Sequence, residues 1–379
     1  MTGSIDSTLV GRPGSRRLLS SPALVLDLDR LEDNIRAMAE MARLQGVALR
    51  PHAKTHKSAE IARRQIAAGA AGQCCAKLAE AEALADHGIA GLLLTSPVVT
   101  ERGIARLMAL LHRAPDTMVV ADNPDNVAAL ADAAAAVGLR LGVLVDLDVG
   151  LNRTGVTSVA DGLDLARRVA AAPSLHFRGV QAYAGHAMHV AGRVERRRVL
   201  ADALSLTGDL CTELTAAGLA PAIVTGGGTG SFDLDPSFRV LTELQVGSYI
   251  FMDREYADIW TQKGEPVPFQ SALFVQTSVI SANIPGQCTT DAGCKAFATE
   301  AGPPVIIDGA PDGARYAFFG DEQGRVTFAR PGDHLPVGAV LTCMPPHCDP
   351  TVNLYDHMHV VRGDMLVDIW PVTGRGRSQ

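Results

Sequence analysis

Near its C-terminus the chain reads Pro346-His347-Cys348-Asp349-Pro350, and near its start Arg50-Pro51-His52-Ala53-Lys54-Thr55-His56-Lys57. His347 and Asp349 are metal-ligand side chains at i, i+2. In extended backbone both project to one side, with Cys348 on the other. Imidazole plus carboxylate is a borderline-hard donor set suited to Mn2+ or Zn2+. Two protein ligands leave places for water or a substrate oxygen, the pattern of a catalytic metal rather than a structural one. His357 and His359 are further candidate ligands. In the other segment, alternation puts His52 and Lys54 on one face of a strand end. The basic neighbours Arg50, His56 and Lys57 would lower the ammonium pKa and free the amine to attack a carbonyl. The bland alternatives are a Pro-bounded turn and a solvated basic loop.

Three further clusters lie between these two. Thr225-Gly226-Gly227-Gly228-Thr229-Gly230-Ser231 follows a strand pattern, and side-chain-free backbone lets several N–H groups converge on an anion. It lacks the Lys of a Walker loop. Asp146 through Gly155 carries Arg153 after a glycine hinge, able to aim a fork of donors at an anionic oxygen or to pair with Asp146 or Asp148. Gln181 through His189 places Tyr183 at a strand end, with His186 and His189 beyond it as candidate acid or base near neutral pH.

The elements that must position these residues alternate. Strand patterns run at 47–53, 72–76, 92–95, 117–121, 141–148, 177–183, 222–226 and 243–250. Helical patterns run at 57–68, 78–86, 101–113, 124–137, 158–171 and 194–217. Such alternation means parallel strands with covered faces. Eight units in this length fit a (β/α)8 TIM barrel, with a doubly wound open sheet as the second choice. In a barrel, chemistry sits where strands end and phosphate commonly binds after strands seven and eight, which is where Lys54, the glycine run and Gln245-Val246-Gly247-Ser248-Tyr249 fall. After about residue 265 the texture turns to short alternating strands separated by Gly/Asp turns, at 271–280, 305–308, 315–319 and 358–362. The expected organisation is therefore an arm and strand at 1–28 joining a β domain, a barrel at 29–265, and a mostly β domain at 266–379 that carries His347 and Asp349. Residues 1–20 read as a loose arm, 23–28 as a strand, and Asp29 as the N-cap of the first helix.

Bulk properties exclude some partners. The net charge of −7 and the lack of a polybasic run argue against nucleic acid or an anionic membrane surface. No apolar run is long enough to span a bilayer and no leader-like segment opens the chain, so a soluble cytoplasmic protein is expected. Seven scattered cysteines do not form a disulfide framework.

Taken in order, RPHAKTHK (50–57), CCAKLAEAE (74–82), DVGLNRTGV (148–156), QAY (181–183), TGGGTGS (225–231), ELQVGSYIFMD (243–253), DAGCKA (291–296) and HCDPTVNLYD (347–356) resemble the D-threonine aldolase and D-serine dehydratase family. These are fold type III pyridoxal-phosphate enzymes with an alanine-racemase-like barrel, and the resemblance runs from about residue 21 to the end. It implies that Lys54 holds pyridoxal 5'-phosphate, with His52 and Tyr183 lining its site and Arg153 near its phenolic oxygen. Thr225, Gly228, Thr229, Gly247, Ser248 and Tyr249 would take the phosphate. Gln245 stands where alanine racemases place an arginine, and a neutral amide offers no permanent charge there. His347 and Asp349 match the metal pair, for Mn2+ first and Zn2+ or Mg2+ otherwise. Aldolases of the family resemble His-x-Asp and dehydratases His-x-Cys, so Asp349 points to cleavage of a D-3-hydroxy amino acid into glycine and an aldehyde.

The resemblance also implies a base for the hydroxyl proton, His189 first, then His56 or His186. The chain departs from the aldolase pattern at Thr154, where Cys is common, and at Ala184, where His is common. Those changes bear on side-chain preference more than on reaction class. The alternatives are a D-serine or D-3-hydroxyaspartate dehydratase, an amino-acid racemase, and a non-catalytic pyridoxal-phosphate protein. A homodimer is implied, with Asp291 and Lys295 as candidates to enter a partner's site.

Overall fold

The computed structural model describes residues 4–190, 192–262 and 268–379. It forms two compact units, one of Met38–Lys54, Ala59–Gly247 and Gly376–Gln379, the other of Met1–Ala37, Thr55–Ser58 and Ser248–Arg375. The chain enters through β1 (Ala23–Asp27) and α1 (Leu28–Gln45). Asp27, not Asp29, caps that helix: its Oδ1 accepts the Arg30 N–H at 3.2 Å, while Asp29 already lies in the first turn.

The first unit holds strands β2 (Ala48–Leu49), β3 (Gln73–Cys75), β4 (Leu92–Leu94), β5 (Met118–Ala121), β6 (Leu141–Asp146), β7 (Leu175–Ala182), β8 (Ile223–Gly226) and β9 (Glu243–Leu244). All pair in parallel in the order β2-β9-β8-β7-β6-β5-β4-β3. A single bridge from His52 to Cys74 joins the two ends and closes the barrel. Between the strands run α2 (Ala59–Ala67), α3 (Leu78–Ala85), α4 (Glu101–Leu111), α5 (Pro124–Ala136), α6 (Val159–Ala171) and α7 (Arg193–Ala216). Their starts are written in side chains. Thr100 accepts the Gly103 N–H, Asn123 accepts those of Asp125 and Asn126 ahead of Pro124, and Ser158 accepts that of Asp161.

Strand alternation splits the core into two layers. Leu92, Leu94, Val119, Val143 and Val145 pack in the cluster shared with the helices, whereas Cys74, Leu93, Met118, Val120 and Leu144 form a separate cluster. Two expected strands are much shorter than their sequence patterns. Past β2 the chain turns through a 3-10 helix at Ala53–Thr55, and past β9 through another at Ser248–Ile250.

The second unit is mostly β: β10 (Leu273–Ser281), β11 (Gln287–Thr290), β12 (Val305–Asp308), β13 (Arg315–Phe318), β14 (Gly324–Thr327), β15 (Val340–Met344), β16 (His357–Arg362) and β17 (Met365–Pro371). The N-terminal β1 belongs to this sheet, antiparallel to β10 and parallel to β16. Two helices accompany it, α8 (Arg254–Gln262) and α9 (Cys348–Val352). The segment read as a loose arm is ordered over residues 4–20. Short 3-10 helices form at Ile5–Leu9 and Ser15–Leu18, and buried Asp6 accepts from the Ser20 hydroxyl and sits 3.1 Å from His359 Nε2. No helix among the described residues is long and apolar enough to cross a membrane.

Candidate active site

In the barrel unit, Lys54 is the one exposed residue between Pro51 and Ser58. Backbone N–H groups of Arg50 and His52 continue the ladder to Leu244 and Val246, so the segment is held until the 3-10 turn that presents Lys54. Arg50 is buried in a two-pronged pair with Glu243, Nε to Oε1 and Nη2 to Oε2 both at 3.0 Å, so its charge is spent there.

A buried polar network underlies the strand ends. His52 Nε2 lies 3.2 Å from Thr95 Oγ1. Gln181 Nε2 donates to the Thr95 carbonyl at 3.1 Å and to Asp146 Oδ1 at 2.8 Å. Gln245 Nε2 donates to Gln181 Oε1 and to Thr225 Oγ1. Thr154 Oγ1 donates to Asp146 Oδ2 at 2.7 Å. The structure thus brings together His52, Thr225 and Gln245, three of the residues singled out in sequence. The Asp146 carboxyl pKa is raised by burial, against the lowering effect of the Thr154 and Gln181 hydrogen bonds. Arg153 pairs with neither Asp146 nor Asp148. Its guanidinium lies 5.5 Å from the centre of the Tyr183 ring, a cation–π arrangement. Asp148 instead holds its own loop, accepting the N–H groups of Gly150 and Asn152.

The glycine run follows β8 and is locked from within. Ser231 Oγ donates to Asp235 Oδ2 at 2.6 Å, and Asp235 is fully buried, which pushes its carboxyl up to about 7. Cβ atoms at Gly226 or Gly230 would come within 2.1 Å of the Ala182 carbonyl oxygen or 2.3 Å of the Met188 carbonyl oxygen. The run is therefore demanded by packing as well as by any anion. The Gly227 and Gly230 amides donate to no protein acceptor among the described residues, a cradle that suits phosphate. Gly228 and Thr229 lie in it, with Thr229 buried. Gly247 ends the barrel unit.

Ser248 and Tyr249 open the β unit, both buried, with the Tyr249 ring edge-on to Phe269 at 5.5 Å. His186 and His189 are exposed on the loop after β7, and Ala184 between them and the strand is buried. His56, in contrast, is fully buried, and its Nδ1 accepts the Ser58 N–H at 3.0 Å.

The metal pair lies in the β unit and differs from its expected shape. Only His347 is extended, with φ −144 and ψ 125, while Asp349 falls inside the first turn of α9. Cys348 is buried, and its thiol pKa is driven well up by burial, then by Asp253 and Asp349. His347 Nδ1 lies 2.8 Å from Glu300 Oε1. A metal-binding histidine commonly gives its second nitrogen to a carboxylate in this way, leaving Nε2 for the ion. The turn is anchored from behind by Asp253, whose Oδ2 accepts the Cys348 N–H at 3.0 Å and whose Oδ1 accepts the Tyr256 N–H at the start of α8. Burial raises the Asp253 carboxyl to about 6. Glu300 and Asp253 are the functional residues that sequence reasoning missed, each being remote in the chain from residue 347. His359 Nδ1 lies 3.3 Å from the Leu24 carbonyl oxygen, and Asp6 Oδ2 lies 3.1 Å from its Nε2. Among the described residues no group of three or more His, Cys, Asp or Glu is arranged to hold a metal.

The family model described as alanine racemase, N-terminal domain matches residues 26–255, and that described as putative serine dehydratase domain matches residues 272–361. The chain is similar to a D-threonine aldolase of Arthrobacter sp, 41% identical over 95% of this chain and 94% of the relative. It is similar to a 3-hydroxy-D-aspartate aldolase of Paracoccus denitrificans, 38% identical over 95% and 93%. Its structure resembles the crystal structure of D-threonine aldolase from Filomicrobium marinum, with TM-score 0.90 and 39% identity over 96% of this chain and 97% of the other.

Proposed function

Because the chain belongs to the D-threonine aldolase family, on the alanine-racemase-like fold, we propose that it is a carbon–carbon lyase cleaving D-3-hydroxy amino acids to glycine and an aldehyde. The observation that carries this reading is the pair at the head of α9: an imidazole fixed by Glu300 and, two residues on, a carboxylate rather than a thiolate. Pyridoxal phosphate supplies the electron sink for the departing bond pair, and a divalent cation supplies a Lewis acid for the β-hydroxyl.

Each residue has one task. Lys54 holds the cofactor, and its amine is accessible where its neighbours are buried. Arg153 and Tyr183, in contact with each other, would help hold the cofactor, and His52 and Gln245, joined through the Thr95–Gln181 network, would line its site. Thr225, Gly228, Thr229, Gly247, Ser248 and Tyr249 receive the phosphate. His347 and Asp349 hold the cation, Mn2+ with Zn2+ or Mg2+ as substitutes. His189 accepts the hydroxyl proton, with His186 next. His56 ranks last, because its Nδ1 is committed to Ser58 and only Nε2 remains to carry a proton. The family resemblance also supports a homodimer.

The test is product analysis. Purified protein with pyridoxal phosphate and Mn2+ is incubated with D-threonine, D-serine or D-3-hydroxyaspartate, with and without EDTA. Glycine plus an aldehyde, lost with chelator and in Lys54→Ala, is the expected result. A 2-oxo acid plus ammonia would replace this reading with dehydration.

A further inference from the structure

Where the barrel strands begin, the unit carries an open pocket of about 280 Å³, lined by none of the residues assigned to the cofactor, the cation or the proton transfer. Arg50, Asp116, Arg140, Gly142, His176 and Arg178 are on its wall. Two of these charges are already answered. Arg50 is paired with Glu243, and Asp116 Oδ2 accepts the Gly91 N–H at 2.6 Å. The other two guanidiniums are not. Arg140 Nε donates only to the Leu175 carbonyl at 3.1 Å, and neither Arg140 nor Arg178 has a carboxylate within ion-pair distance among the described residues. Arg178 Nε is buried and has no hydrogen-bond partner. Arg140 is exposed and Arg178 half-buried, so the costly unmet donor is Arg178 Nε, unless something outside the chain accepts it.

The backbone is shaped to put Arg178 there. Between β6 and β7 the register slips: Val143 faces Phe177, but Leu144 faces Gly179, so Arg178 is the extra residue of a bulge. Bulges re-aim a side chain at the cost of a ladder bond. Gly179 then sits at φ +146, where a Cβ would lie 1.8 Å from the Ile223 carbonyl oxygen, so only glycine carries the slip. Gly142 keeps the wall open, since a Cβ there would lie 2.9 Å from Met118 Cγ and 3.2 Å from Arg178 Cγ. His176 lies exposed on the same wall, its pKa lowered by partial desolvation and then by Arg178 and Arg140.

The geometry points to a second small-molecule site, in which Arg140 and Arg178 bind an oxyanion of the phosphate or carboxylate type. Guanidinium forks match such oxygens two at a time, and the volume suits inorganic phosphate or a short dicarboxylate.

The test uses holoenzyme saturated with pyridoxal phosphate, in chloride buffer of constant ionic strength, titrated by calorimetry with inorganic phosphate and separately with succinate. A single saturable site for either anion is expected, with the cofactor absorption band unchanged throughout. Arg178→Ala should weaken it roughly tenfold or more, and Arg178→Lys should restore part of the loss. Arg140→Ala, outside the bulge, is the second probe, should the bulge variant fold poorly. No saturable binding of either anion, or binding unchanged by both alanine substitutions, overturns the assignment. The anion that binds identifies the ligand class.

Discussion

Glu300→Ala removes the carboxylate that lies 2.8 Å from His347 Nδ1. In the structure that bond is the reason for the ring's orientation. With Nδ1–H donated to Glu300, Nε2 keeps its lone pair for a cation. Removing such a partner costs about 10- to 100-fold in metal affinity. Glu300 is 54% exposed, so solvent already screens its charge. The lower end is therefore expected, about tenfold, or about 1.4 kcal/mol. Glu300→Gln, which can still accept the N–H without a charge, should lie between wild type and alanine. Affinity is read by titrating Mn2+ into EDTA-stripped protein against a chromophoric chelator, with His347→Ala alongside. Unchanged affinity in Glu300→Ala would refute the orienting role. A loss as large as that of His347→Ala would make Glu300 a direct ligand instead.

Two further expectations concern the barrel unit. Asp235 holds its proton in the folded state to about pH 7, while an unfolded aspartate releases it near 4. The stabilising effect is therefore whole below about 4 and drains away as pH rises toward 7. Asp235→Asn, whose amide oxygen can still accept from Ser231, should flatten the fall in melting temperature across that window; an unchanged slope would place the titration elsewhere. Glu243→Ala leaves the Arg50 guanidinium buried without its carboxylate and should destabilise the fold by about 3 kcal/mol, read as the shift in denaturation midpoint.

The barrel helices were legible because their signals are local. Thr100, Asn123 with Pro124, and Ser158 announce starts that the structure places within a residue or two, and alternate leucines in β4 divide between the two core layers as a two-residue period requires. The positions of Lys54 and of the glycine run after β8 followed from counting strands. What failed to show depends on partners distant in sequence. Asp253 meets the Cys348 amide across 95 residues, and Glu300 meets His347 across 47, with nothing in either neighbourhood to announce the meeting. Asp29 reads as the cap and Asp27 as the end of a strand, but either carboxylate suits the role and backbone geometry gives it to Asp27. The arm at residues 4–20 reads as polar and loose, yet its order comes from tertiary ties such as Asp6 to His359. The glycines read as an anion cradle answer first to the Ala182 and Met188 carbonyls.

The place of β1 constrains how the chain is made. A strand of five residues that is translated before both its neighbours lies between β10 and β16, whose partner residues in the ladders run from Leu273 to Gln276 and from His359 to Val361. During synthesis β1 has neither neighbour until the barrel sequence has been translated, and it lacks the second until residues 357–362 have followed. Pairing across such separations is slow, because the loop must close before the contacts reward it. The apolar run Ala23-Leu24-Val25-Leu26 therefore waits with its edges open. In a nascent chain stalled before residue 357, that run is the segment a chaperone would have most reason to hold.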